Sequence, residues 1–200
     1  MDAFVLSYRV RHAVARKCLI SYGILVGMAA TSSMSYPPDL RLSSLALADG
    51  GMREELGLNA SWRAVDESRV LGTGEECFQR ASANLLEFRA HRYAGVRVRR
   101  DPVDPDVVWL RVGPTLSPCR ILHVERTPQR TALVYGTLPG HVECGEEAFL
   151  IEHRADGSVV GRCVAFSRPE RWFARLAPHL AAAAQSLITR RYLAGMAKQE

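Results

Sequence analysis

Residues Tyr135 to Pro169, YGTLPGHVECGEEAFLIEHRADGSVVGRCVAFSRP, read as a glycine-rich turn, a strand, a hairpin and a second strand. Gly136, Pro139 and Gly140 mark the turn. Beyond it Phe149 and Ile151 alternate against Ala148 and Leu150, the period of two that a strand imposes on its faces. Asp156-Gly157 is a hairpin signal, because both residues tolerate positive φ. Ser167 with Glu170 three positions on has the form of a capping box, and Pro169 is acceptable in a first helical turn. The helix expected from there has a stripe of Trp172, Phe173, Leu176, Leu180, Ala183, Ala184, Leu187, Ile188 and Tyr192, with Pro178 bending or splitting it. Such a stripe has to be buried, and a twisted sheet folded around it would do so.

Upstream, Trp62 to Val70 reads as a first strand and Gly72-Thr73-Gly74 as a turn. Thr73 and Glu76 form a second capping-box pattern, opening a helix with Cys77, Phe78, Ala81, Leu85 and Phe88 on one stripe. A meander follows. Val96 to Arg99 alternates, Asp101 to Pro105 turns, Val107 to Val112 is a strand ended by Gly113-Pro114, and Cys119 to Val124 and Thr131 to Tyr135 complete it before the opening stretch. Short turns imply antiparallel neighbours. The expected fold is α+β and helix-grip-like, a curved antiparallel sheet of six or seven strands around a long C-terminal helix.

Two hundred residues suffice for one substantial core. The formal charge of +5 points towards nucleic acid until the charges are located. Residues 1–33 hold Arg9, Arg11, Arg16 and Lys17 against Asp2 alone, and both signs are interspersed thereafter. The densest later basic run, Arg97, Arg99 and Arg100, is followed at once by Asp101, Asp104 and Asp106, so no nucleic-acid partner is expected. Five cysteines, an odd number without CxxC spacing, read as reduced thiols of a cytoplasmic protein and fit no structural zinc pattern. The apolar run from Cys18 to Ala30 follows a basic stretch, as in a signal peptide, but is too short for stable membrane insertion. Residues 1–33 read as an extension, and residues 34–200 as one domain, best defined over 61–196. Residues 34–60 carry only a short Leu-rich piece, Leu40 to Leu47, and are expected to wrap the outside.

The pieces LGTGEECFQRASANLLEF, GPTLSPCRILHVERTPQRTALVYGTLPGHVECGEEAF, AFSRPERWFARLAP and ITRRYL resemble the DUF1990 family, also called UPF0548, of bacterial and plant proteins. The resemblance names relatives without naming a reaction. The order strand, helix, meander, long helix is also similar to the START/Bet v 1-like (SRPBCC) helix-grip superfamily, whose members hold apolar ligands between sheet and helix. That resemblance implies a cavity there.

His141, Glu143 and Glu147 lead the site candidates. In an extended β-strand Glu143, Gly145 and Glu147 face one way while Cys144 and Glu146 face the other. The plain alternative is an external charged stripe with His141 bonding locally. A Cys144–His141 nucleophile pair is disfavoured, since three residues across a turn rarely bring base and sulfur together. No fixed pair such as HExxH supports a metal, and GTG at 72–74 lacks the context of a dinucleotide fingerprint, so neither metal nor cofactor is expected. Trp109, Val112, Tyr135, Phe149, Val164, Phe173 and Leu180 are expected to line the core or cavity. Trp109, Tyr135, Phe149 and Phe173, with His141, Glu143 and Glu147 as polar contacts, form the expected ligand site. The function that follows is binding of a small hydrophobic or amphipathic molecule. The alternatives are a hydrolase, cyclase or isomerase using His141 as base with a nearby carboxylate, or an interaction protein; homo-oligomerisation is left open. Deleting residues 1–33 is expected to shift the melting temperature by less than ~3 °C. A larger drop, or loss of solubility, would show that Leu19 to Val26 packs on the domain.

Overall fold

The computed structural model describes residues 33–170 and 178–199, with side chains of the last helix from Gln185 onward. After a 3₁₀ turn at Pro38–Leu40 come α1 (Ser43–Ala48), β1 (Arg63–Thr73), α2 (Gly74–Leu86) and α3 (Arg89–Tyr93). The meander comprises β2 (Arg97–Arg100), β3 (Val107–Val112), β4 (Thr115–Arg126), β5 (Arg130–Thr137), β6 (Glu143–His153) and β7 (Ser158–Pro169), and α4 (Pro178–Met196) closes the chain. Among the described residues these strands form one seven-stranded sheet, ordered β1-β7-β6-β5-β4-β3-β2. Every neighbouring pair is antiparallel. Strands β1 and β2 lie at opposite edges, so α2 and α3 carry the chain across the sheet between them.

Strand alternation sorts the core into two layers. On the inner face Leu133, Tyr135, Phe149, Ile151 and Cys163 pack against Cys77, Phe78, Ala81 and Leu85 of α2 and Tyr192, Leu193 and Met196 of α4. The helical stripe read around Cys77 and Phe78 is therefore buried as its spacing implies. On the outer face Ala132, Val134, Ala148, Leu150 and Val164 lie beneath Leu42, Leu45 and Leu47. Beside them Tyr36, Leu40, Leu58 and Trp62 cover Cys144 and Phe166. Residues 34–62 thus form a packed second layer.

One acid pins that layer. Glu146 is 3% exposed and accepts hydrogen bonds from the Tyr36 hydroxyl (2.7 Å), the Leu42 N–H (2.8 Å), the Ser44 N–H (3.0 Å) and the Ser44 hydroxyl (2.6 Å). The two amides belong to the start of α1, where N–H groups have no helical partner. Two glycines make the approach feasible. A Cβ at Gly136 would strike the Tyr36 hydroxyl, and one at Gly145, where φ is +154°, would strike the Phe166 carbonyl.

Several local expectations give way to the sheet. Thr73 precedes α2 but makes no side-chain cap, because it still pairs with Ser158 as the last residue of β1. The Gly74 N–H donates to the Gly157 carbonyl instead. Ser167 is not a helix cap either. It pairs with Gly145 on one side and Arg63 on the other, so β7 continues to Pro169. A backbone claimed by two ladders is not available to start a helix. The last helix, α4, is described from Pro178 onward, and residues 171–177, on which the expected bend or split at Pro178 depends, lie outside the described residues. Trp62 lies just before β1 rather than in it. Arg168 stacks over the Trp62 ring at 4.4 Å. Trp172, Phe173 and Leu176 lie outside the described residues, as do the side chains of Leu180, Ala183 and Ala184.

Glu146→Ala leaves buried donors unpaired at about 1–3 kcal/mol each, so its expected cost is above ~3 kcal/mol in denaturant unfolding. Tyr36→Phe, which leaves Leu42 on the same carboxylate oxygen, is expected to cost about 1–2 kcal/mol. Equal and small effects would show that Glu146 does not anchor the layer.

Candidate functional site

Between the inner sheet face and α4 lies a cavity of about 450 Å³. Its described lining includes Val96, Leu110, Ala165 and Ile188 as apolar surface and Tyr135, Glu147, Gln185, Thr189 and Tyr192 as polar groups. Glu147 is the central feature. Tyr135, directly opposite on β5, donates its hydroxyl proton to Glu147 Oε2 at 2.9 Å. Cys163 of β7 donates to Oε1 at 3.1 Å. Behind Tyr135, Nε2 of His91 lies 3.3 Å from the phenol oxygen. With Tyr135 donating to an ionised Glu147, His91 carries its proton on Nε2, and Nδ1 is left buried without a partner. The order His91, Tyr135, Glu147, Cys163 is a continuous hydrogen-bonded chain across the inner face.

Burial controls the charges. The Glu147 carboxyl keeps some accessible area only because it borders the cavity; protein surrounds it otherwise. Desolvation raises its pKa to about 7, although hydrogen bonds from Cys163 and Tyr135 favour the ionised form. The nearby Glu143 charge pushes the same way as burial. His91 is fully buried and held neutral, its pKa lowered to about 3 by desolvation, with Arg92 adding to the effect. Burial raises the Tyr135, Tyr192, Cys119 and Cys163 pKa values well above their usual ranges. At neutral pH, therefore, Glu147 is the group in this cluster that changes charge.

Of the other expected site residues, His141 and Glu143 share the cavity wall with Tyr135 and Glu147. His141 lines the cavity, but its Nδ1 sits 2.9 Å from both the N–H and the carbonyl oxygen of Glu143, held by main chain. Glu143 lines the cavity too, with burial raising its pKa while Ser167 and Arg63 counteract that. Glu143 and Glu147 do share a face, with Cys144 and Glu146 on the opposite one. Cys144 donates to the Ser35 carbonyl at 3.1 Å, the part of a buried structural thiol. Phe149 is buried beneath the site, its ring centroid 5.5 Å from Tyr135 and 5.3 Å from Tyr192. Trp109 faces the other way. It packs with Val107 and Leu138 and donates its indole N–H to Asp101 at 2.9 Å, so it does not line this cavity. Val164, expected in the core or cavity, is buried in the outer core, and Val112 lines the cavity. Trp109 misses the cavity because it falls on the outward parity of β3. Phe173 lies outside the described residues.

Sequence reasoning passed over Gln185, Thr189 and His91. The first two were legible, since Gln185, Thr189 and Tyr192 recur at spacings of four and three on one helical face. His91, on a five-residue helix, carried no such signal. Among the described residues no group of three or more His, Cys, Asp or Glu is placed to hold a metal ion, and no helix is long and apolar enough to cross a membrane.

Glu147 also sets a pH dependence. Its folded pKa is raised, so its stabilising contribution is present below about 4.5 and is lost as pH rises through about 7. Glu147→Gln is therefore expected to be more stable than wild type at pH 8, by about 2–3 kcal/mol at most, with the difference falling to roughly a quarter of that near pH 5. His91 contributes oppositely, losing stability as pH falls from 6.5 towards 3, but it does so in both proteins and cancels. Melting temperatures of the pair from pH 5 to 8 check this, and a constant difference would contradict it.

A protein of Deinococcus radiodurans called a UPF0548 protein is 33% identical over 154 residues, covering 68% of this chain and 78% of its own. A UPF0548 protein of Dictyostelium discoideum is 30% identical over 150 residues, covering 64% and 69%. The family therefore extends to a eukaryote outside the bacteria and plants first expected. Among solved structures, norcoclaurine synthase of Thalictrum flavum superimposes with a TM-score of 0.41 at 10% identity, covering 66% of this chain and 94% of that one. The family model described as a domain of unknown function, DUF1990, matches residues 47–195, so the chain belongs to the DUF1990 family.

Proposed function

We propose that this protein binds a small, largely apolar molecule in the cavity between the sheet and α4. The supporting observation is the pairing of that cavity with one inward carboxyl. A volume of about 450 Å³ falls within the ~300–1,000 Å³ range of small-molecule pockets. While the pocket is empty, its largely apolar lining faces water, which is unfavourable. A carboxyl costs more still when it loses hydration. Keeping both at one place is explained by an occupant whose skeleton meets Val96, Leu110 and Ile188 and whose polar group meets Glu147 and Tyr135.

One observation favours a catalytic second reading. Glu147, a carboxyl raised to about 7 beside a tyrosine, has the properties of a general acid or base, which works best near the operating pH. In that reading Glu147 replaces His141, whose Nδ1 is engaged by the Glu143 main chain.

The neutral fluorophore N-phenyl-1-naphthylamine tests the binding reading. It is expected to bind saturably, one per chain. Ile188→Trp, which adds an indole to the cavity wall, is expected to weaken binding at least ~10-fold, the effect of ~1.4 kcal/mol. The melting temperature of this variant is expected to stay within ~3 °C of wild type. Non-saturable fluorescence, or binding indifferent to Ile188→Trp, would overturn the cavity as the site.

A further inference from the structure

We propose that the molecule this cavity takes is a cationic amphiphile: a protonated amine on an apolar skeleton, with the ammonium held by Glu147. The inference rests on the cavity reading above and adds the chemical class of its occupant.

Titratable side chains surround Glu147. From β5 comes Tyr135, from β4 Cys119, from β7 Cys163, from α4 Tyr192, and from its own strand Glu143. Behind Tyr135, α3 supplies His91, which burial keeps neutral. Among the described residues these groups bring no cation, and Glu143 has the same sign as Glu147; His141, also in the cavity wall, has its Nδ1 engaged by the Glu143 main chain. Arg63 acts on Glu143, at the β1 side of the site, and is not among the lining residues. Two neutral hydrogen bonds hold the Glu147 carboxylate, and among the described residues no cation neutralises it.

A second observation points the same way. The side-chain oxygen of Gln185, a lining residue on α4, is buried without a hydrogen-bond partner, while its nitrogen reaches the Ser167 hydroxyl at 3.5 Å. The cavity therefore has acceptors to spare in both Glu147 and Gln185. A carboxylic acid or phosphate would add acceptors and a like charge. An alcohol could donate one proton and leave the carboxylate charge uncompensated. An ammonium supplies three donors and the missing positive charge. A charge-assisted hydrogen bond of this type is roughly twice as strong as a neutral one.

Proton linkage follows. An ammonium binds the ionised form of Glu147, and in the free protein that form is half populated at about pH 7. Amine affinity should then rise about tenfold between pH 6 and pH 8, while the affinity of an uncharged analogue should not. Below pH 7 amine binding should also release a proton, which calorimetry in buffers of different ionisation enthalpy detects.

The test uses the full chain and three probes of equal length, decylamine, decanol and decanoate, each displacing N-phenyl-1-naphthylamine. Decylamine is expected to bind at least ~10-fold more tightly than decanol at pH 8, and decanoate more weakly than either. Glu147→Gln is expected to abolish the preference for the amine, and a cooperative thermal transition reports that the variant is folded. Glu147→Asp, which keeps the charge, is expected to retain part of that preference. Equal binding of all three probes, or an amine preference that survives Glu147→Gln, would overturn the cationic assignment and leave the cavity reading standing. Failure of all three to displace the fluorophore from wild type would remove the cavity reading, and the assignment with it.

Discussion

The carboxylate of Glu146 ties the N-terminal layer to the sheet, and the two-sided architecture depends on that tie. Its four donors come from Tyr36, Leu42 and Ser44, more than a hundred residues earlier in the chain. Without that layer Ala132, Val134, Ala148, Leu150 and Val164 would be an apolar sheet face in water. Covering it secures the outer side of the strands, so the inner side can carry a cavity as well as a packed core. A buried acid is costly unless its hydrogen-bonding capacity is filled, and Glu146 meets that condition with four donors.

Its neighbour meets the opposite fate for a geometrical reason. Successive residues of a strand point to opposite faces, so Glu146 and Glu147 cannot share an environment. Glu146 enters a polar cradle built from the first turn of α1, whereas Glu147 enters a largely apolar cavity where two donors reach it. Gly145, between Glu143 and this pair, accepts a φ of +154° and lets the Phe166 carbonyl approach where a side chain would block it. The run ECGEE thus assigns each position separately: Glu143 to the cavity wall, Cys144 to the outer core, Gly145 to close strand contact, Glu146 to the anchor and Glu147 to the cavity. His91 and Tyr135 extend the site inward, and the neutrality of His91 keeps a second charge out of it.

Much of the fold was legible because it rests on local rules. Alternation placed β3, β5, β6 and β7 within a few residues, helical spacing found the buried face of α2, and Asp156-Gly157 marked the hairpin. The shared face of Glu143 and Glu147 followed from parity alone. Capping patterns at Thr73 and Ser167 misled, because a cap is a local option that a ladder on either side overrides. Trp109 misled differently: an aromatic in a strand is buried on either face, and composition does not say which face holds the cavity.

By itself, the sequence determined the strands, α2, their order and the two faces of β6, since these depend on residues a few positions apart. Tertiary structure decided which partner each polar group met. Glu146 found donors in a segment without a clear period, Glu147 found Tyr135 and Cys163 on neighbouring strands, and β7 continued past Ser167 because β1 and β6 both claimed its backbone. Those outcomes turn on contacts between residues distant in the chain, and hydrogen-bonding capacity and desolvation are settled only when such residues meet.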